Sequence, residues 1–162
     1  MTGSIQLPVF YARILDMLRK KYLWGLVILY VMFIFGNSLQ TGEVSGSLSR
    51  KIAEAAEQLL RVFNLKIGNF DLLHMVIRKL AHFSEFLILG LLVQWVNSRQ
   101  PLVDNKLYVF LLFLLIGFTD EFLQLFVEGR AGMLTDSLID SSGYVLSWII
   151  TMLVKKTHRS SR

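Results

Sequence analysis

Four apolar stretches constrain the fold of this chain more than any other feature. They lie at about residues 22–37, 77–96, 107–126 and 137–154. Each is near the roughly 20 residues that a helix needs to cross a bilayer core. The first reads YLWGLVILYVMFIFGN and the third contains VFLLFLLIGF; these are the plainest. The second and fourth carry polar residues in their first halves. Hydrophobic residues make up 54% of the chain and charged ones 18%. Soluble domains carry about 25% charged residues, so the composition argues against a soluble globule, and it excludes a disordered chain. Cysteine is absent, which removes disulfides, thiolate metal sites and cysteine nucleophiles. The two prolines leave long helices uninterrupted. The expected fold is all-α. It is an integral membrane four-helix bundle forming a single domain over residues 1–162, with an amphipathic extracytoplasmic segment, residues 38–76, between the first and second spans.

The first apolar run begins only after Lys20 and Lys21, and no small-residue cleavage site follows it. It therefore reads as a retained span rather than a signal peptide. Basic residues set the expected orientation. Arg13, Arg19, Lys20 and Lys21 precede the first span, Arg99 and Lys106 lie between the second and third, and Lys155, Lys156, Arg159 and Arg162 follow the fourth. Only Asp16 and Asp104 oppose them. The positive-inside rule then places both termini in the cytoplasm. The pI near 9.6 reflects these flanking charges; no basic stripe interleaved with aromatics points to nucleic acid.

The outer segment opens with SLQTGEVSGS, which reads as loop. SRKIAEAAEQLLRVFNL follows with helical spacing: Ile52, Ala56, Leu59 and Phe63 share a face, and Ser49 is the expected N-cap. Such a helix lies on the membrane surface or caps the bundle. Gly36, Gly90, Gly117 and Gly143 are the expected close-packing positions between spans. Trp24, Trp95 and Trp148 read as interface or packing residues, and His74 and His158 receive no role.

The polar residues of the spans converge. With the N-terminus inside, the second and fourth spans begin at the outer face and the third ends there. In RKLAHFSEF, Arg78, His82 and Glu85 stand at i, i+4 and i+7, on one helical face, with Lys79 beside them. TDEFLQ supplies Asp120, Glu121 and Gln124; DSLIDSSG supplies Asp136 and Asp140, and Gly143 and Ser147 continue the stripe. VEGRAGML presents Arg130 between two glycines. At about 1.5 Å per residue, His82, Glu85, Asp120 and Asp140 fall at similar depths. Asn37, Ser38 and Gln40 either complete the rim of the resulting pocket or form an ordinary polar helix end. A charged group at the bilayer centre costs about 2.5–3.5 kcal/mol, so these residues pair with one another, bind something or line water.

Three chemistries suit the set. His82 could move protons, oriented by Glu85 or Asp140. His82 with carboxylate oxygens could hold a divalent metal, although no HExxH-type motif accompanies it. Arg130 could grip an anion through its planar fork and the backbone of its glycine-flanked turn.

NSLQTGEVS, RKLAHFSEFLILG and DEFLQLFVEGRAGMLTDSLIDSSG, in this order and spacing, resemble the VanZ-like family of small bacterial membrane proteins. The resemblance covers the chain from about residue 22 to 154. The family's polar signature falls on Lys79, His82, Glu85, Asp120, Glu121, Gln124, Arg130, Asp136, Asp140 and Gly143. Phe86 stands where the family often has Tyr, and Glu128 where it often has Pro. The family takes its name from a member linked to low-level resistance to teicoplanin, a lipid-tailed glycopeptide. The resemblance implies a multi-pass protein of the bacterial cytoplasmic membrane whose partner is a membrane lipid, a lipid-linked cell-wall precursor or the lipoglycopeptide itself. Three functions stand side by side: a resistance or envelope factor that binds a lipid-linked anion, a hydrolase or transferase acting on a lipid headgroup, and a subunit of an envelope complex. Oligomeric state is not legible.

Overall fold

The computed structural model describes residues 9–65, 68–101, 105–130 and 132–160. Asp104 and Arg162, both used in the charge argument, lie outside the described residues. Five helices follow one another: α1 (Val9–Ser38), α2 (Gly42–Val62), α3 (Phe70–Arg99), α4 (Lys106–Gln124) and α5 (Leu134–Ser160). No strand occurs among the described residues. Side chains accepting backbone N–H groups start three of them: Thr41 from Val44, Asn69 from Leu72 and Asn105 from Leu107. Each satisfies one donor that a helix N-terminus leaves unpaired.

Helices α4 and α5 are long and apolar enough to cross a membrane, the latter over Leu134–Thr157. Tyr22–Ser38 qualifies only together with Gly42–Val62, across a 100° bend. Among the described residues the candidate spans are thus two, or three if the bent pair forms one, against the four expected. Helix α3 is 30 residues long, but His82, Glu85, Gln94 and its terminal Asn97 and Arg99 dilute its apolar content. Large side chains such as Leu29, Phe33, Leu115 and Leu153 point outward from the bundle. A surface of this kind suits lipid and not water.

The cap of α2 corrects the expectation for the outer segment. The stretch read as loop is helical from Gly42, and Ser49 lies inside the helix, buried. The serines cause no break because their hydroxyls turn back onto the helix. Ser47 donates to the Val44 carbonyl, and Ser49 donates toward those of Ser45 and Gly46. Ser49 also meets His74 Nε2 at 2.7 Å, joining α2 to α3. Ala53 is the other buried residue of α2, while Ile52, Leu59 and Phe63 are exposed.

Helices α3 and α5 run parallel and pack most closely. Lys79 meets Asp136, His82 meets Asp140, and Gln94 donates to Ser147, so both chains advance in the same direction. Two glycines permit this approach. A Cβ on Gly143 would strike the Phe83 carbonyl, and one on Gly90 would strike the Ser147 side chain. Gly117 of α4 sits against Asp140 and Phe86. Gly36, expected at such a contact, meets nothing: a Cβ there would find open space. Helices α1 and α4 run opposite to α3 and α5. Trp24 of α1 donates to the Gln100 carbonyl after α3 and stacks on Phe113, while at its other end Asn37 reaches Glu85 and Ser38 reaches Asp120.

The bundle therefore has two unlike ends. Leu23, Val27, Val93, Val96, Val109 and Phe113 fill one. Tyr144, Phe86, Leu89 and Ile34 close the middle of the same core. Beyond Phe86 the interior turns polar.

Candidate functional site

The polar end gathers the C-terminal turns of α1 and α4 and the N-terminal halves of α3 and α5. Every site residue expected from the sequence lies there, and the helix register explains why. Arg78, His82 and Glu85 share the face of α3 that looks into the bundle, and Asp136 and Asp140 are one turn apart on the facing stripe of α5. Asp120, Glu121 and Gln124 occupy the last turns of α4 and are buried.

His82 is at the centre. Its side chain is 12% exposed, and its Nδ1 lies 3.5 Å from Oδ1 of Asp140, which is fully buried. Asp120 accepts from Ser38 at 2.7 Å and from Gln124 at 3.2 Å, both through Oδ2. Glu121 Oε2 accepts the Met133 backbone N–H at 3.0 Å. Glu85 Oε1 accepts from Asn37 at 2.8 Å, which points it toward α1 and leaves Asp140, not Glu85, beside the imidazole. Asn37 and Ser38, read from the sequence only as a possible rim, are working partners of two carboxylates.

The three cations are placed very differently. Lys79 pairs with Asp136 at 2.7 Å. Arg130 donates from Nε to the Gln40 carbonyl and from an Nη to the Asn37 carbonyl, at 3.1 and 2.9 Å. It thereby fastens the end of α1 and the turn that follows it, where the Asn37 carbonyl also accepts the Gln40 N–H. Burial, with Arg78 nearby, lowers its pKa from the ordinary guanidinium value. Its turn is held by Gly129 at φ +71° and by the Gly42 N–H donating to the Glu128 carbonyl. The side chain at Glu128 plays no part in that bond. Arg130 is thus engaged by two backbone carbonyls while still lining the cavity between α2 and α3.

Arg78 forms no hydrogen bond or ion pair with the described residues, and it lines two cavities that also share His82. One, of about 310 Å³, is bounded by Met75, Lys79, Met133 and Asp136. The other, of about 330 Å³, lies between α2 and α3 and reaches Asn37, Ser38, Glu85 and Arg130. Sequence reasoning placed Arg78 on the right face but could not single it out, because no pattern in the chain tells which cation is already paired.

A family model described as VanZ/LLP1 matches residues 23–155. The chain belongs to the VanZ/LLP1 family. Its match begins in the described apolar part of α1 and ends near the close of α5, so the whole VanZ site lies within it. No curated protein and no solved structure matches the chain. The polar positions expected from the sequence are here one physical cluster. Phe86 is buried and lies against Gly117, as Asp140 does, so no hydroxyl is offered from that position.

Proposed function

We propose that this VanZ-family membrane protein binds the anionic headgroup of a lipid-linked envelope component at the polar end of its bundle. In this reading α1, α3, α4 and α5 cross the bacterial cytoplasmic membrane, both termini are cytoplasmic, and α2 lies at the outer face. The distribution of basic residues supports the orientation, and the antiparallel course of the four long helices supports the crossing. Binding there would shield or alter a precursor displayed outside the membrane and so contribute to resistance to teicoplanin-type lipoglycopeptides.

The observation that carries the reading is Arg78. It is a guanidinium unpaired among the described residues and lines two cavities of about 310 and 330 Å³ beside His82, whereas Lys79 and Arg130 already have partners. A planar fork with open donors suits phosphate. The test is susceptibility of a sensitive Gram-positive host expressing wild type or Arg78→Ala at matched membrane levels. Protection by wild type alone, against teicoplanin and not against vancomycin, which lacks the lipid tail, is the expected result. Equal protection by Arg78→Ala would remove the headgroup reading.

A second reading is favoured by the His82–Asp140 pair: chemistry on the headgroup, by hydrolysis or transfer, with His82 moving the proton and Asp140 orienting it. His82→Gln would then abolish protection while leaving lipid binding intact.

A further inference from the structure

Four side chains at the floor of the polar end have more unmet polar atoms than a closed structural network should. His82, Asp120, Glu121 and Asp140 each offer a ligand atom, and these atoms all lie within 4.8 Å of one another. His82 Nδ1, Asp120 Oδ1, Glu121 Oε1 and both oxygens of Asp140 are buried without a hydrogen-bond partner among the described residues. Asp140 and Asp120 are fully buried. Neither Lys nor Arg comes within ion-pair distance of the three acids among the described residues. Burying a charged carboxylate is strongly disfavoured, so three around one imidazole either take up protons or share a counter-charge.

We propose that these four residues bind one divalent cation of the Mn²⁺ or Zn²⁺ type. One imidazole nitrogen with three carboxylate oxygens is a donor set such ions accept, while Ca²⁺ takes six to eight oxygens. The partners behind the ligands fit the same role. Ser38 and Gln124 hold one oxygen of Asp120 and leave the other free, and the Met133 N–H does the same for Glu121. Orientation of ligands by outer hydrogen bonds is the usual construction of a protein metal site. Gly117, against the Asp140 side chain, leaves α4 close enough for its two acids to reach α5. This inference does not depend on the headgroup reading; a metal could be held whether or not a lipid binds.

The experiment uses the full chain in detergent or nanodiscs without added lipid ligand. After chelator treatment, Mn²⁺ is titrated and free ion is followed by electron paramagnetic resonance. Pulsed measurements on the bound ion report whether an imidazole nitrogen is coordinated. One Mn²⁺ per chain is expected, with a directly coordinated ¹⁴N signal that His82→Gln removes. Asp140→Asn should weaken binding at least about tenfold, and the surface variant Glu57→Gln should leave it unchanged. Zn²⁺ should displace the bound Mn²⁺. Wild type that binds no ion, or binds it without the nitrogen signal, overturns the proposal whatever the variants do. So does a ¹⁴N signal that persists in His82→Gln.

Discussion

At one end of the bundle Trp24, Phe113, Val93 and Val96 fill space with apolar atoms, and a single indole N–H donates to the Gln100 carbonyl. At the other end the same helices bury four carboxylates, those of Asp120, Glu121, Asp136 and Asp140, with Gln124 and most of the His82 side chain. The first end rests on shape and stacking, with few polar atoms: the Trp24 N–H is satisfied, and that of Trp148 is buried without a partner among the described residues. The second has far more polarity than assembly needs, and part of it is unsatisfied. The contrast separates what holds the helices together from what the protein uses. Residues of the apolar end should matter for stability alone. Residues of the polar end should matter for binding, and some of them should weaken the fold.

The largest expected effect lies in the apolar half. Leu89→Ala removes a fully buried side chain between helices and should lower stability by about 3 kcal/mol, read from thermal denaturation in detergent, with protection per folded molecule unchanged. Arg130→Ala comes next. It removes the guanidinium donor from the Gln40 carbonyl and from the Asn37 carbonyl, which keeps the Gln40 N–H, and should cost about 1.5 kcal/mol in the same assay; a neutral result would return Arg130 to ligand binding. Asp140→Asn should act in the opposite direction, stabilising the metal-free protein by about 1 kcal/mol while abolishing function. If that variant instead destabilises, the polar end is structural and the contrast fails. The smallest stability effect is expected for Arg78→Ala, within about 0.5 kcal/mol, since that side chain has no partner to lose.

The all-helical class and the polar cluster were legible in the sequence. Spacing alone puts Arg78, His82 and Glu85 on one face, and Asp136 and Asp140 on another. What remained hidden depended on partners from distant helices. Thr41 displaces Ser49 as the cap of α2 because Gly42 packs against Gly129, more than eighty residues away. Asn37 and Ser38 look like an ordinary helix end until Glu85 and Asp120 arrive beside them. The carbonyl partners of Arg130, Asn37 and Gln40, are some ninety residues away in sequence and could not be read from its loop. Gly36 reads like Gly90 and Gly143 in sequence, but only the latter two meet a neighbouring helix. Helix α3 falls short of the apolar content of a span because the polar residues that make the site lie within it.

The measurement that tests the account most directly is binding of a polyisoprenyl phosphate to the purified chain in nanodiscs, by native mass spectrometry, for wild type beside Arg78→Ala. The account predicts a retained lipid adduct in wild type and at least about tenfold loss of affinity in the variant, since one charge-assisted pair is worth about 1.5–3 kcal/mol, with the two melting temperatures alike. Equal binding by the two proteins would contradict it, because the unpaired cation of the polar end would then have no ligand to hold.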